Sequence, residues 1–136
     1  MLVKELGHPS KMVLEDVPSP TPGKKQVLVD IKACSVNFPD TLMAQGLYQF
    51  KPELPFSVGS DIAGVVKEVG EGVKHLKPGD EVFGITAHGG FAEQVLVPAN
   101  SVFPKPPMMD YKIAASFMMA YGTSYHALKD LSLIHI

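Results

Sequence analysis

Apolar and polar positions alternate most clearly at residues 26–33 (QVLVDIKA). Val27, Val29 and Ile31 fall on one face of a strand there, and Leu28, Asp30 and Lys32 on the other. Residues 62–69 (IAGVVKEV) read as a more deeply buried strand, in which Gly64 marks a close backbone approach or a bulge. Residues 81–85, 91–97 and 101–103 add shorter strands. Residues 12–17 alternate only in part, and Pro18-Ser19-Pro20-Thr21-Pro22-Gly23 ends them in a connecting arm, because proline cannot continue a ladder. Gly70-Glu71-Gly72 makes a turn. Leu76-Lys77-Pro78-Gly79-Asp80 makes another, with Pro78 suited to position i+1. Turn signals therefore recur roughly every ten residues, the spacing of a β-barrel or sandwich.

Two stretches break the strand rhythm. Asn37-Phe38-Pro39-Asp40 predicts a helix start, with Asn37 as N-cap, proline in the first turn and Asp40 facing the positive helix end. That helix should stop near Gly46, and residues 48–55 form a loop. From Asp110 a helical pattern carries Ile113, Ala114 and Phe117, and a second helical piece covers about residues 123–129.

Composition narrows the class. A chain of 136 residues with 46% hydrophobic and 19% charged residues fits one globular domain. Twelve Pro and twelve Gly favour short strands and tight turns over a helical bundle. A net charge of −2 offers no basic stripe for nucleic acid. The single cysteine, Cys34, excludes an internal disulfide framework and a structural zinc knot of several cysteines, and suits a reducing, cytoplasmic setting. No apolar run approaches the ~20 residues of a membrane span. The histidines show no HxH or HxxxH spacing. His8 and His75 lie in polar turns, His88 precedes Gly89-Gly90 in an expected flexible surface loop, and no metal site is expected.

Three segments carry a likeness. Residues 33–40 (ACSVNFPD) resemble the strand-to-helix corner of medium-chain dehydrogenases/reductases. Residues 54–70, from Leu54-Pro55 through Gly59-Ser60-Asp61 and Gly64 to Val69-Gly70, resemble their P-x-x-x-G-x-E-x-x-G-x-V-x-x-V-G segment, with Asp61 in place of Glu. Lys77-Pro78-Gly79-Asp80-Glu81-Val82 resembles their G-D-x-V turn. The resemblance covers nearly all of residues 1–130. It implies a mainly β, GroES-like barrel with short helices, ordinarily followed by a Rossmann domain. Zinc-dependent alcohol dehydrogenases place a metal-binding cysteine where this chain has Asn37 and a metal-binding histidine where it has Ser60. They place a hydroxyl relay where it has Pro39. Asn and Ser are weak zinc ligands beside thiolate or imidazole. The corner resembles the Asn-Phe-x-Asp of the zinc-free quinone oxidoreductase and enoyl reductase branch.

That resemblance implies an NADPH-dependent reduction of a quinone or an α,β-unsaturated carbonyl, with no zinc and with a homodimeric, cytoplasmic parent enzyme. Without a metal, hydrogen-bond donors must polarise the acceptor as charge develops on its oxygen. Tyr48 matches a tyrosine the branch uses near substrate and is the candidate donor, or else a loop side chain packing on the barrel rim. Asn37 is a candidate for orienting the nicotinamide or the acceptor, beside its capping role. Phe38 is pocket wall or core. Thr123 matches a threonine beside the nicotinamide, or caps a helix. Asp40, without a metal to support, reads as a helix-terminus charge. Alternatives are an enoyl-thioester reductase and, from another class, a stand-alone GroES-like binding module.

The chain's last residues break the likeness. Leu131-Ser132-Leu133-Ile134-His135-Ile136 is the in-frame reading of CTG TCT CTT ATA CAC ATC, a transposon-end adapter. Residues 1–130 are thus expected to be the substrate-side domain, and residues 131–136 read-through in place of a Rossmann domain. No G-x-G-x-x-G phosphate turn occurs in the chain, so the isolated piece is expected to be inactive.

Overall fold

The computed structural model of the chain describes residues 1–131; the expected read-through tail lies outside the described residues apart from Leu131. Five strands form one antiparallel sheet: β1 (Gln26–Cys34), β2 (Asp61–Val69), β3 (Glu81–Ile85), β4 (Gln94–Pro98) and β5 (Val102–Pro104). Their spatial order is β4-β1-β2-β3-β5. The two outermost strands are consecutive in the chain. Only a single 3-10 turn, Ala99–Ser101, separates them, so the sheet must curl until its edges meet. One core records that curl, because Val27, Val29, Ile62, Val66, Val82, Val95, Val97 and Val102 from all five strands pack in a single cluster. Each fully buried valine or isoleucine contributes roughly 1.5–3 kcal/mol relative to exposure. The mainly β GroES-like architecture expected from turn spacing and family likeness is the one observed.

Gly64 behaves as its place in the strand predicts. It pairs with Ile31, and a Cβ added to it would stand 2.1 Å from the Asp30 carbonyl oxygen. Register shifts flank this approach between Leu28 and Val29 and between Ile31 and Ala33, bending β1 around the core. The Lys77–Asp80 turn closes with an Asp80 N–H to Lys77 carbonyl bond of 3.2 Å, and Gly79 has φ +92°. That is a type II turn, with proline and glycine where each is needed.

Helix α1 (Phe38–Ala44) starts after Asn37 as expected and ends before Gly46, whose φ is +71°. Helix α2 (Tyr111–Lys129) corrects the sequence reading, since it is one 19-residue helix where two pieces were expected. Its first turns lie on the outside of the sheet, where Ala114 and Ala115 meet Ala63, with Ala33, Phe83 and Tyr111 around them. Small residues on both sides let helix and sheet approach closely. The expected strand at residues 91–97 begins later, at Gln94, because residues 91–93 form a bend. Residues 14–22 join no helix or strand, in keeping with a proline-rich connecting arm. Among the described residues no helix is long and apolar enough to cross a membrane.

Candidate functional site

The chemistry gathers where β1 runs into α1. Asp40 is the centre of this corner, and it is more than a helix-terminus charge. It is only 2% exposed. One carboxylate oxygen accepts the Asn37 N–H at 2.8 Å, and the other accepts the Gly59 N–H at 3.1 Å and faces the Ser60 hydroxyl at 3.5 Å. Asp40 thus ties α1 to the loop leading into β2. Asn37 is the N-cap, as expected, and shares a capping box with Asp40, while its Nδ2 donates to Ser35 Oγ at 2.8 Å.

A second buried carboxylate joins the corner to α2. Asp61, fully buried, accepts the backbone N–H of Met119 at 3.0 Å through Oδ2. A mid-helix amide ordinarily serves the carbonyl four residues back. Here a side chain from the sheet reaches it, near where the sequence suggested that one helical piece ends and the next begins. Burial pushes the Asp61 carboxyl above its ordinary value; the Met119 amide and the Ser35 hydroxyl pull it down, and the Asp40 charge adds to the rise. Cys34 lies beside both acids. Burial first, then the charges of Asp40 and Asp61, push its thiol up to about 12. Such a thiol stays protonated at neutral pH and is a poor nucleophile or metal ligand. Its sulfur is wedged between two glycines, since a Cβ at Gly90 would come within 2.7 Å of it and one at Gly59 within 3.0 Å.

The four candidate residues fall into two groups. Asn37 and Phe38 open α1, with Phe38 73% exposed. Thr123 is exposed on α2, one helical turn (~6 Å) beyond Met119 on the same face. Asn37 Nδ2 bonds Ser35 Oγ, the Ser35 N–H bonds the Asp61 carbonyl at 3.0 Å, and Asp61 Oδ2 accepts from Met119, which links the start of α1 to the stretch of α2 that carries Thr123. Tyr48 stands apart. It follows α1, whose seven residues span ~10 Å, and packs against the cluster of Val3, Met43, Ala44, Phe56 and Val58.

His88 is the residue that sequence reading missed. The flexible surface loop expected around it is held by backbone bonds: Thr86 N–H to Ser60, Gly89 N–H to Ser57, Gly90 N–H to Gly59 and Phe91 N–H to Val58, each 2.8 Å. The His88 ring stacks on Phe50 at 5.9 Å and meets Phe56 edge-on at 6.2 Å. The glycines after it suggested freedom; here they permit a close crossing of two loops. This loop borders a cavity of about 1790 Å³, which Cys34 also lines and which Asn37, Tyr48 and Thr123 do not. The open corner and the cavity are thus neighbouring features, joined through Cys34.

Among the described residues, no three His, Cys, Asp or Glu side chains converge in a way that would hold a metal.

Comparison with known proteins agrees with this geometry. The alcohol dehydrogenase GroES-like domain matches residues 23–107. The rat quinone oxidoreductase is 41% identical over 128 residues, 93% of this chain and 39% of that protein. The Pseudomonas syringae quinone oxidoreductase structure superposes with a TM-score of 0.92 at 30% identity, covering 98% of this chain and 41% of that one. The Escherichia coli quinone oxidoreductase complexed with NADPH gives 0.87 at 31% identity, covering 96% and 40%. The chain spans about two fifths of the length of the curated relatives it matches.

Proposed function

The chain belongs to the alcohol dehydrogenase GroES-like domain family, and on that premise we propose that it is the substrate-side domain of an NADPH-dependent, zinc-independent quinone oxidoreductase of the medium-chain dehydrogenase/reductase superfamily. The observation that carries this reading is the likeness to quinone oxidoreductases along 93% of the chain. The corner supports its details. Asn37 and Ser60 offer neutral oxygens and an amide where a zinc enzyme needs a thiolate and an imidazole, and the neighbouring Cys34 holds its proton.

The residues present fit the nicotinamide end of the cofactor. Nδ2 of Asn37 is engaged by Ser35, which fixes the amide at the start of α1. Phe38 supplies an exposed flat ring, and Thr123 an exposed hydroxyl on α2. NADPH supplies the hydride when bound. The chain's own part is to orient the acceptor, exclude water and donate a hydrogen bond or proton to the acceptor oxygen as it gains charge, the role given to Tyr48. The substrate is a quinone or related α,β-unsaturated carbonyl, and the parent enzyme is a homodimer of the cytoplasm.

The test is NADPH oxidation by the complete protein containing this domain, with 9,10-phenanthrenequinone as acceptor. Turnover should survive exhaustive chelation, and Tyr48→Phe should lower kcat by roughly 10²-fold. About one tightly held zinc per chain defeats the zinc-independent reading. An unchanged kcat and KM in Tyr48→Phe leaves Tyr48 as packing only.

A further inference from the structure

Asp61 touches both walls of the open corner. Its carbonyl accepts the N–H of Ser35, whose Oγ holds the Asn37 amide, and its Oδ2 accepts the N–H of Met119 in α2. The position is rigid, since Asp61 opens β2, pairs with Ile85 and is followed by the wholly buried Ile62 and Ala63. An acid here is costly. It is fully buried, and its Oδ1 has no hydrogen-bond partner among the described residues. A half-satisfied buried carboxylate weakens a fold relative to an apolar residue of similar size, so packing alone gives no reason for it.

Polar contacts fix α2 to the sheet at two places. Before its start, the buried Lys105 Nζ donates to the Met109 carbonyl at 2.8 Å and the Pro106 carbonyl at 3.2 Å, pairs with Glu81 at 3.2 Å and lies 5.0 Å from the centre of the Tyr111 ring. The second place is Asp61 at Met119. Among the described residues no hydrogen bond from the sheet reaches α2 beyond Met119, and residues 120–126 are exposed. Thr123 belongs to this unsupported part. Met119 lies ~12 Å along the helix from Tyr111 and Thr123 a further ~6 Å, so a displacement at Met119 grows by about half at Thr123.

We propose that Asp61 is a positioning residue for the nicotinamide end of the site: its carboxylate sets the tilt of α2, and so the distance between Thr123 and the Asn37 corner. The inference rests on the quinone oxidoreductase reading above and adds to it a residue that acts through Thr123. Aspartate has the length the contact needs. A glutamate carries the acceptor outward by roughly one carbon–carbon bond, ~1.5 Å, and displaces Thr123 by ~2 Å. A misplacement of about 1 Å can cost ~10²-fold in rate. An asparagine has the same length as aspartate and still offers an oxygen to the Met119 amide.

The experiment measures NADPH-dependent reduction of 9,10-phenanthrenequinone by the complete protein containing this domain. Asp61→Glu should lower kcat about tenfold and leave the KM for NADPH within about threefold, because it displaces one contact at the nicotinamide end. Asp61→Asn should keep kcat within about threefold of wild type. In a Thr123→Ala background, Asp61→Glu should lower kcat by less than about threefold, since the two residues act through one contact. A role confined to stability produces no such coupling. In the 136-residue chain, NMR should show that Asp61→Glu moves the amide resonances of Met119 and Thr123 and leaves that of Lys112 in place. Unmoved Met119 and Thr123 resonances, a wild-type kcat in Asp61→Glu, a loss of about tenfold in Asp61→Asn, or an undiminished effect of Asp61→Glu in the Thr123→Ala background each overturns the inference. The two readings fail separately. Turnover by wild type with kcat unmoved in Asp61→Glu sinks the positioning role alone; moved Met119 and Thr123 resonances with no turnover by the complete wild-type protein sink the oxidoreductase reading alone.

Discussion

The paired strands β1 and β2 and the long helix α2 each carry a glycine, and the two glycines obey opposite rules. Gly64 in β2 has the Asp30 carbonyl where its Cβ would stand, whereas Gly122 in α2 has nothing within 4 Å. The strands are finished on every side: Val27, Leu28, Val29, Ile62 and Ala63 are wholly buried. The helix is finished on one side only. Ala114 and Ala115 are buried, while Ile113, Phe117, Tyr121 and Tyr125, each four residues from the last, are 38–64% exposed. The difference teaches where the chain's stability resides. The curled sheet is fixed by backbone proximity and leaves no room for change. Helix α2 is attached through its first turns, the Phe83–Phe117 ring contact and one buried carboxylate, and its second half is mostly exposed.

The largest expected effect is at the strand glycine. Gly64→Ala should cost about 2–4 kcal/mol of unfolding free energy in urea, because a backbone oxygen cannot step aside as a side chain can. A loss under about 1 kcal/mol would show that the β1–β2 register relaxes, and the contrast with α2 would lose its basis.

The carboxylate that joins the two regions gives a pH-dependent effect. The Asp61 carboxyl sits above its ordinary value when folded, so its contribution to stability is present below the unfolded carboxylate pKa and lost as pH rises through the folded one. Asp61→Asn keeps an acceptor for the Met119 amide and carries no charge. The stability of wild type relative to Asp61→Asn should therefore fall as pH climbs from the acid range through the folded pKa, then level off. Denaturant melts of both proteins at stepped pH measure this. A difference that grows in wild type's favour with rising pH would mean the carboxylate is welcome in its site, against the burial that surrounds it.

The smallest effect has the opposite sign. Gly122→Ala, with open space around it, should raise stability by about 0.5–1 kcal/mol through helix propensity and a less flexible unfolded chain. A destabilisation there, seen in the same urea melts, would place an unsuspected neighbour against α2.

Local pattern was enough for the strands. Alternation in residues 26–33, the Pro78-Gly79 turn and the close approach at Gly64 were all legible, because each depends on neighbours in sequence or on a residue type with one conformational use. The start of α1 was legible for the same reason. Asn37, Phe38, Tyr48 and Thr123 came from family likeness, and their chemical roles stay proposals. What sequence alone did not reveal is the set of contacts between distant segments. Asp61 reaches an amide 58 residues away. That contact coincides with the helix–helix gap the sequence suggested, within what is one continuous helix. Asp40 joins α1 to Gly59, 19 residues on, and so changes from a terminus charge to a buried tie. His88, beside two glycines, read as flexible surface loop until the crossing of residues 57–60 with 86–91 fixed its backbone and set its ring against Phe50 and Phe56. The sequence by itself determined which segments extend, turn and coil, since backbone torsions and side-chain period are local properties. The curl of the sheet decided which polar groups meet, because a carboxylate or imidazole acquires its environment from whatever the fold brings within 3 Å of it.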